Sequence, residues 1–180
     1  ATAEPALLDY LQQIALFSDG DGPSAINRDS GDNNALRFLD FTGSALAYHV
    51  HAKPEHALVI GAGGGSQVLQ ARLLGARNID AVELNPQIAG LVRDEFGEFS
   101  GGLYAAPDVS LHISEARGFL TRSLEQWDVL QLALLDSAGA SGTGLYSLSE
   151  NYLFTVEAFR LYLRHLEPGG LLSITGWIRM

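Results

Sequence analysis

Ala57–Glu83 reads ALVIGAGGGSQVLQARLLGARNIDAVE, and its punctuation predicts strand, glycine loop, helix and strand in that order. Ala57-Leu58-Val59-Ile60 is an apolar run of the length of a buried parallel strand and too short for a helix. Gly61-Ala62-Gly63-Gly64-Gly65 interrupts it, and Val68, Leu69, Ala71, Leu73 and Leu74 then recur at helical spacing. Asn78–Glu83 returns as a second strand and ends on an acid. A loop this poor in side chains lets backbone approach a ligand, and the following helix is expected to aim unpaired N–H groups at that point. Glu83 stands about 20 residues past the first glycine, where a carboxylate accepts from both hydroxyls of a ribose. These features point to a nucleoside. Tight packing of a strand against a helix also uses glycine at such a turn, so the acid and its spacing carry the reading.

Two ligand classes share this layout. A dinucleotide fingerprint asks for G-x-G-x-x-G/A, and Ser66 fills the third slot. The form G-x-G-x-G is met in full by Gly61, Gly63 and Gly65, and it accompanies S-adenosylmethionine and its relatives, which have no diphosphate. The second class is favoured. A nicotinamide dehydrogenase stays as a rival, with a spoiled loop and no evident hydride-transfer partner.

At 180 residues the chain is one domain by length, with 47% hydrophobic and 18% charged residues. A net charge of −10 argues against nucleic acid or an anionic membrane as partner, since both need basic patches. The absence of cysteine removes disulfides, thiolate nucleophiles and cysteine metal sites. No apolar run is long enough to span a membrane and the first residues lack a signal-peptide pattern, so the expectation is a cytoplasmic location. His49 and His51 stand two apart without a third ligand, and Asp19, Asp21, Asp29 and Asp32 lack calcium-loop spacing, so no metal site is expected.

Outward from the central motif, Pro5–Phe17 carries apolar residues at helical spacing and is predicted helical. Ser18–Asn34 reads as a polar, glycine-rich loop, Ala35–Asp40 as a strand and Ser44–Val50 as a short helix. Residues 1–50 thus form an N-terminal extension and 51–180 a nucleoside-binding α/β domain. In the latter, Pro86–Phe96, Glu115–Leu124 and Asn151–Leu166 are predicted helices, and Val109–Ile113, Trp127–Leu135 and Leu171–Thr175 predicted strands. This alternation implies a doubly wound, mostly parallel Rossmann-like sheet with helices on both faces. Ligands bind such sheets beyond the carboxyl ends of the strands. Those ends present the glycine loop, Glu83, Glu115 and Asp136.

The ordered motifs VIGAGGGSQVL, AVELNP, HISEARGFL, WDVLQLALLDSA and ENYLFTVEAFRLYLRHLEPGGLL resemble the spermidine-synthase-like group of class I methyltransferase-fold proteins. The resemblance is nearest to the branch often joined to a multi-spanning membrane segment. It implies that Gly61, Ala62, Gly63 and Gly65 line the methionine and ribose side of a sulfonium nucleoside. Glu83 would bind the ribose hydroxyls and Leu84 would lie against the adenine. Glu115, with Ala116 beside it, would accept from the adenine amino group. Asp136 would face the reacting amine as a base, while Tyr146, Glu150 and Tyr152 fall in the segment that covers the pocket, and Arg117 would pair with an acid or brace the adenine loop. The implied donor is S-adenosylmethionine or its decarboxylated form, and the implied acceptor a small molecule such as an amine. Two departures stand out. Aminopropyltransferases carry an aspartate where this chain has Gly64, and a second aspartate three residues after the first, where Asp136 is followed by Ser137, Ala138 and Gly139. The implied activity is transfer of an aminopropyl or methyl group, with a non-catalytic nucleoside-binding or assembly domain as the alternative. The sheet counted from the sequence ends at Thr175, without the C-terminal strand pair usual in such domains, and an open edge of this kind would suit a homodimer.

Overall fold

Strand β3 (His56–Ile60) is the centre of the molecule, and Ala57 to Ile60 are all buried. A computed structural model describes residues 12–18, 21–51, 53–133 and 152–175. Strand β3 pairs in parallel with β4 (Asn78–Glu83) on one side and with β6 (Trp127–Leu132) on the other. Outside these lie β5 (Val109–Ile113) and β7 (Leu166–Ile174), giving the order β5-β4-β3-β6-β7 with every pairing parallel. The connections run through helices, as a parallel sheet requires.

Alternation along the strands divides the core into two layers. Ala57, Val59, Ile79, Ala81 and Val129 face one side, where they pack with Val68 and Leu69 of α2 (Ser66–Leu73). Leu58, Ile60, Val82, Leu130 and Leu132 face the other, where they meet Leu120 of α4 (Ala116–Arg122) and Ala158 and Tyr162 of α5 (Val156–Arg164). The expected doubly wound fold is present. The predicted helix from Pro86 is α3 (Pro86–Gly90) continued by a π turn over Leu91–Glu95, and α1 is Leu46–Val50. The long helix expected over Asn151–Leu166 is shorter: Thr155 breaks it and caps α5, its hydroxyl accepting from Ala158 N at 3.1 Å.

Before β3 the structure corrects three expectations. Gln13–Ser18 is a strand, β1, rather than the end of a helix, and Asp21–Asn27, read as loop, is its antiparallel partner β2. In six residues the apolar set fits both periods, and here Ile14 and Leu16 turn inward while Gln13, Ala15 and Phe17 are exposed. Ile14 pairs with Ile26 and Leu16 with Ser24. Leu16 and Ile26 belong to the same apolar layer as α2, so the hairpin shares the main core. The strand expected at Ala35–Asp40 is a 3₁₀ turn over Arg37–Phe41: buried Leu36 and Leu39 are three apart, the spacing of that helix.

Two buried polar groups of residues tie the elements together. Asp80 in β4 has His56 Nε2 at 2.8 Å and His112 Nε2 at 2.7 Å, and it accepts from Trp127 Nε1 at 2.9 Å. Burial alone would raise its carboxyl, but these three hydrogen bonds outweigh it and hold the pKa at about 2. On the other face Tyr48 donates to Gln131, Gln131 to Gln70, and Gln70 to the Leu39 carbonyl and Thr42, fastening α1 and the 3₁₀ turn to the sheet.

Candidate functional site

The carboxyl ends of the parallel strands β3, β4 and β5 lie along one edge of the sheet, and the glycine loop follows β3 directly. Gly61, Gly63 and Gly65 have φ of 76°, 52° and 91°, conformations that a side chain strains. The turn is closed by Gly61 N and Ala62 N, which donate to Val82 O at 2.9 and 3.0 Å, and by Gly65 N, which donates to Ala62 O at 2.8 Å. Gly63 N donates to Glu83 Oε2 at 2.7 Å, and Gly64 N to Ser24 Oγ at 2.8 Å. All five successive N–H groups therefore have partners within the protein. The unpaired donors expected at this point were those of the following helix, α2, whose first turn has no side-chain cap, and Gly61–Gly65 add none to them.

Glu83 is 7% exposed and is fixed from two directions. Its Oε2 takes the Gly63 N–H, and its Oε1 takes the Asn85 N–H at 2.7 Å. Asn85 caps α3 in turn, accepting from Gln87 N and Ile88 N. Each carboxylate oxygen keeps a second lone pair, so the group is oriented without being saturated. Beside it the chain exposes two large apolar side chains at the strand ends, Leu84 at 54% and Ile113 at 46%. Ile113 is the register partner of Glu83, which brings the ends of β4 and β5 level.

Glu115 follows two residues later and caps α4. Its Oε1 accepts from Arg117 N at 2.8 Å and its Oε2 from Gly118 N at 2.6 Å, while Ala116 is buried behind it. Arg117 reaches from α4 to the Tyr152 carbonyl at 3.5 Å, bracing the segment before α5. The structure thus brings the loop, Glu83, Leu84, Glu115 and Ala116 to adjoining strand ends. Asp136, Tyr146 and Glu150 lie outside the described residues. His49 pairs with Asp40 at 2.6 Å, and His51 lies 3.8 Å from Asp128.

Two residues at the loop carry no signal in the sequence pattern. Tyr104 donates to Gly63 O at 2.8 Å, and burial, reinforced by the Glu83 charge, pushes its phenol far above the usual range, so it stays a donor. Ser24 stands 40 positions from Gly64 in a stretch whose composition reads as loop. The same strand approaches so closely that a Cβ on Gly64 would collide with the Ala25 carbonyl, and one on Gly63 would lie 2.7 Å from Ser24 Oγ.

Comparison with solved structures supports the fold. A spermidine synthase in complex with the transition-state analogue AdoDATO superposes with a TM-score of 0.58 at 14% identity, covering 89% of this chain and 55% of its own. The spermidine synthase of Thermotoga maritima gives 0.54 at 16% identity, over 90% of this chain and 55% of that one. An amino pentose methyltransferase from Micromonospora echinaspora, solved with bound SAM, gives 0.52 at 18%, over 79% and 51%. Among curated proteins, the polyamine aminopropyltransferase of Nitrosomonas europaea is 28% identical over 125 residues, which is 69% of this chain and 36% of the relative. That of an Enterobacter species is 28% identical over 127 residues, 70% of this chain and 40% of the relative. The chain thus spans less than half the length of these relatives. The profile of the spermine/spermidine synthase domain matches residues 43–176, from the turn before α1 to the residue after Thr175. That match covers well over half of the 180 residues and most of the parallel sheet, and this chain belongs to the spermine/spermidine synthase domain family.

Proposed function

We propose that this chain is the nucleoside-binding part of a transferase that moves an aminopropyl group from a sulfonium nucleoside to a small amine. Residues 51–180 would form the binding domain and 1–50 its extension. The observation that carries the reading is the buried Glu83 carboxylate, locked by Gly63 N–H and Asn85 N–H at the end of β4 with lone pairs left for a ribose diol. Charge-assisted hydrogen bonds of this kind contribute about 1.5–3 kcal/mol each. Leu84 and Ile113 would flank the adenine, with Ala116 behind it, and Glu115 would accept from the amino group on its remaining lone pairs.

Decarboxylated S-adenosylmethionine fits this loop better than the intact donor does. With the N–H groups of Gly61–Gly65 engaged, a donor carboxylate finds no backbone partner there, whereas a cationic tail needs none. The net charge of −10 favours cations on approach. The donor supplies an electrophilic carbon next to its sulfonium, and the amine lone pair displaces the thioether sulfur. Asp136 would take the proton that the amine releases, and in-line positioning with exclusion of water supplies most of what this chemistry needs.

Gly64 favours a second reading, a domain that binds the nucleoside without turning it over. The acid that aminopropyltransferases carry there has no room beside Ala25. Calorimetric titration with S-adenosylmethionine, its decarboxylated form and methylthioadenosine, repeated on Glu83→Ala, tests both. Preference for the decarboxylated ligand, weakened by at least about tenfold in the variant, followed by turnover in an amine screen, supports the proposal. Binding without turnover supports the second reading, preference for the intact donor points to methyl transfer, and binding of none of the three removes all of them.

A further inference from the structure

We infer that the β1–β2 hairpin is a structural part of the nucleoside site and that Ser24 is its positioning residue, holding the peptide plane of Gly64. The inference rests on the reading of the glycine loop as a nucleoside site. A loop with three left-handed glycines has little shape of its own, because glycine gains most conformational freedom when released. Its shape comes from its partners. Glu83 holds the N–H of Gly63 and Tyr104 holds its carbonyl. Beyond them, Ser24 takes the Gly64 N–H, and the contact comes from the N-terminal hairpin rather than from the sheet.

The hairpin is joined to the loop through more than this one bond. Ser66 at the start of α2 donates to the Ala25 carbonyl at 3.0 Å, Asn27 donates to Ser66 Oγ at 2.8 Å, and Gln13 donates across the hairpin to Asn27 at 2.6 Å. Behind these bonds Leu16 and Ile26 are buried in the layer that also holds Val68. Strand β2 therefore occupies the volume into which a side chain at Gly64 would point. Because Gly63 N–H orients Glu83, a shift of the adjoining Gly64 peptide also moves the carboxylate meant for the ribose. Ser24 reaches the ligand through Gly64 and Glu83 and has no contact role of its own. The hairpin thus does two things in one place: it shapes the donor loop and keeps an acid out of it.

The test uses the full chain, with methylthioadenosine as the probe. Ser24→Ala removes the acceptor for Gly64 N–H, and Ser24→Thr keeps a hydroxyl on the same Cβ. Loss of one neutral hydrogen bond to the loop is expected to weaken binding about three- to tenfold in the alanine variant. Its Gly64 amide should exchange with solvent faster, and the threonine variant should restore both readings to near wild type. Wild-type affinity in Ser24→Ala, or a loss that threonine does not rescue, overturns the inference. Glu83→Ala separates the two levels. If Glu83→Ala abolishes binding while Ser24→Ala leaves it intact, the nucleoside site stands and the role of Ser24 falls. If the wild type binds no nucleoside, both fall.

Discussion

Gly64 shows how one position connects chemistry to packing. A side chain there meets the backbone of β2, which cannot swing aside as a flexible side chain would. Gly64→Ala is therefore expected to cost about 1–3 kcal/mol of stability, the range for forcing extra volume into a packed site. Chemical denaturation read against wild type checks this, and an unchanged midpoint would show that β2 moves freely. Glu83 differs in kind: its geometry follows from two backbone N–H groups, that of Gly63 in the glycine loop and that of Asn85 two residues further on, both close to the spacing from glycine to acid that marks it in the sequence. Glu83 was legible in the sequence for that reason. Ser24 was not, since a serine in a glycine-rich polar stretch carries no periodicity, and its partner lies on another element.

At the scale of elements, the hairpin behaves as part of the core. Ile26 is fully buried and sits in the same apolar layer as Val59, Val68 and Leu103. Ile26→Ala is expected to lower stability by about 2–5 kcal/mol, as for other large-to-small core changes. It should also weaken methylthioadenosine binding, because the strand it anchors carries Ser24. A thermal midpoint unchanged by this substitution would mean that the hairpin is an appendage. Residues 13–17, expected to end a helix, and residues 21–27, expected to be loop, instead pair as strands, while residues 28–34 follow the loop reading. In a short segment the same apolar residues satisfy both helical and alternating spacing, and only a neighbouring surface selects between them. By contrast, β4 and β5 match their predicted limits at Asn78–Glu83 and Val109–Ile113. The inner strand β4 is buried from Ile79 to Glu83, the edge strand β5 alternates along VSLHI, and each pattern stands out from the segments around it.

For the whole molecule, Asp80 ties four of the five parallel strands, through His56 of β3, His112 of β5 and Trp127 of β6. Its folded pKa of about 2 lies below its ordinary value, so its contribution is present above the unfolded pKa and is lost as pH falls through about 2. A difference of nearly two units corresponds to about 2 kcal/mol. His56 runs the other way: its hydrogen bond to Asp80 raises its pKa, so its contribution is present below about pH 6.5 and fades as pH rises through the folded value. Denaturation measured across pH should show both limbs, with Asp80→Asn flattening the acid one and His56→Gln the one at higher pH. A wild-type profile flat between pH 2 and 4, on the order of the uncertainty of such measurements, would count against this tie.

The order of strands and helices from Ala57 onward, the glycine loop and the strand-end acids were all determined by the sequence alone. Each is encoded by neighbours in the chain: apolar runs, turn residues and a fixed spacing from glycine to acid. The tertiary structure alone decided that residues 13–27 form a hairpin, that Gly61–Gly65 keeps no N–H donor for an anion, and that Gly64 has no space for an acid. Those facts depend on contacts between segments tens of residues apart, where burial and hydrogen-bond satisfaction override local propensity.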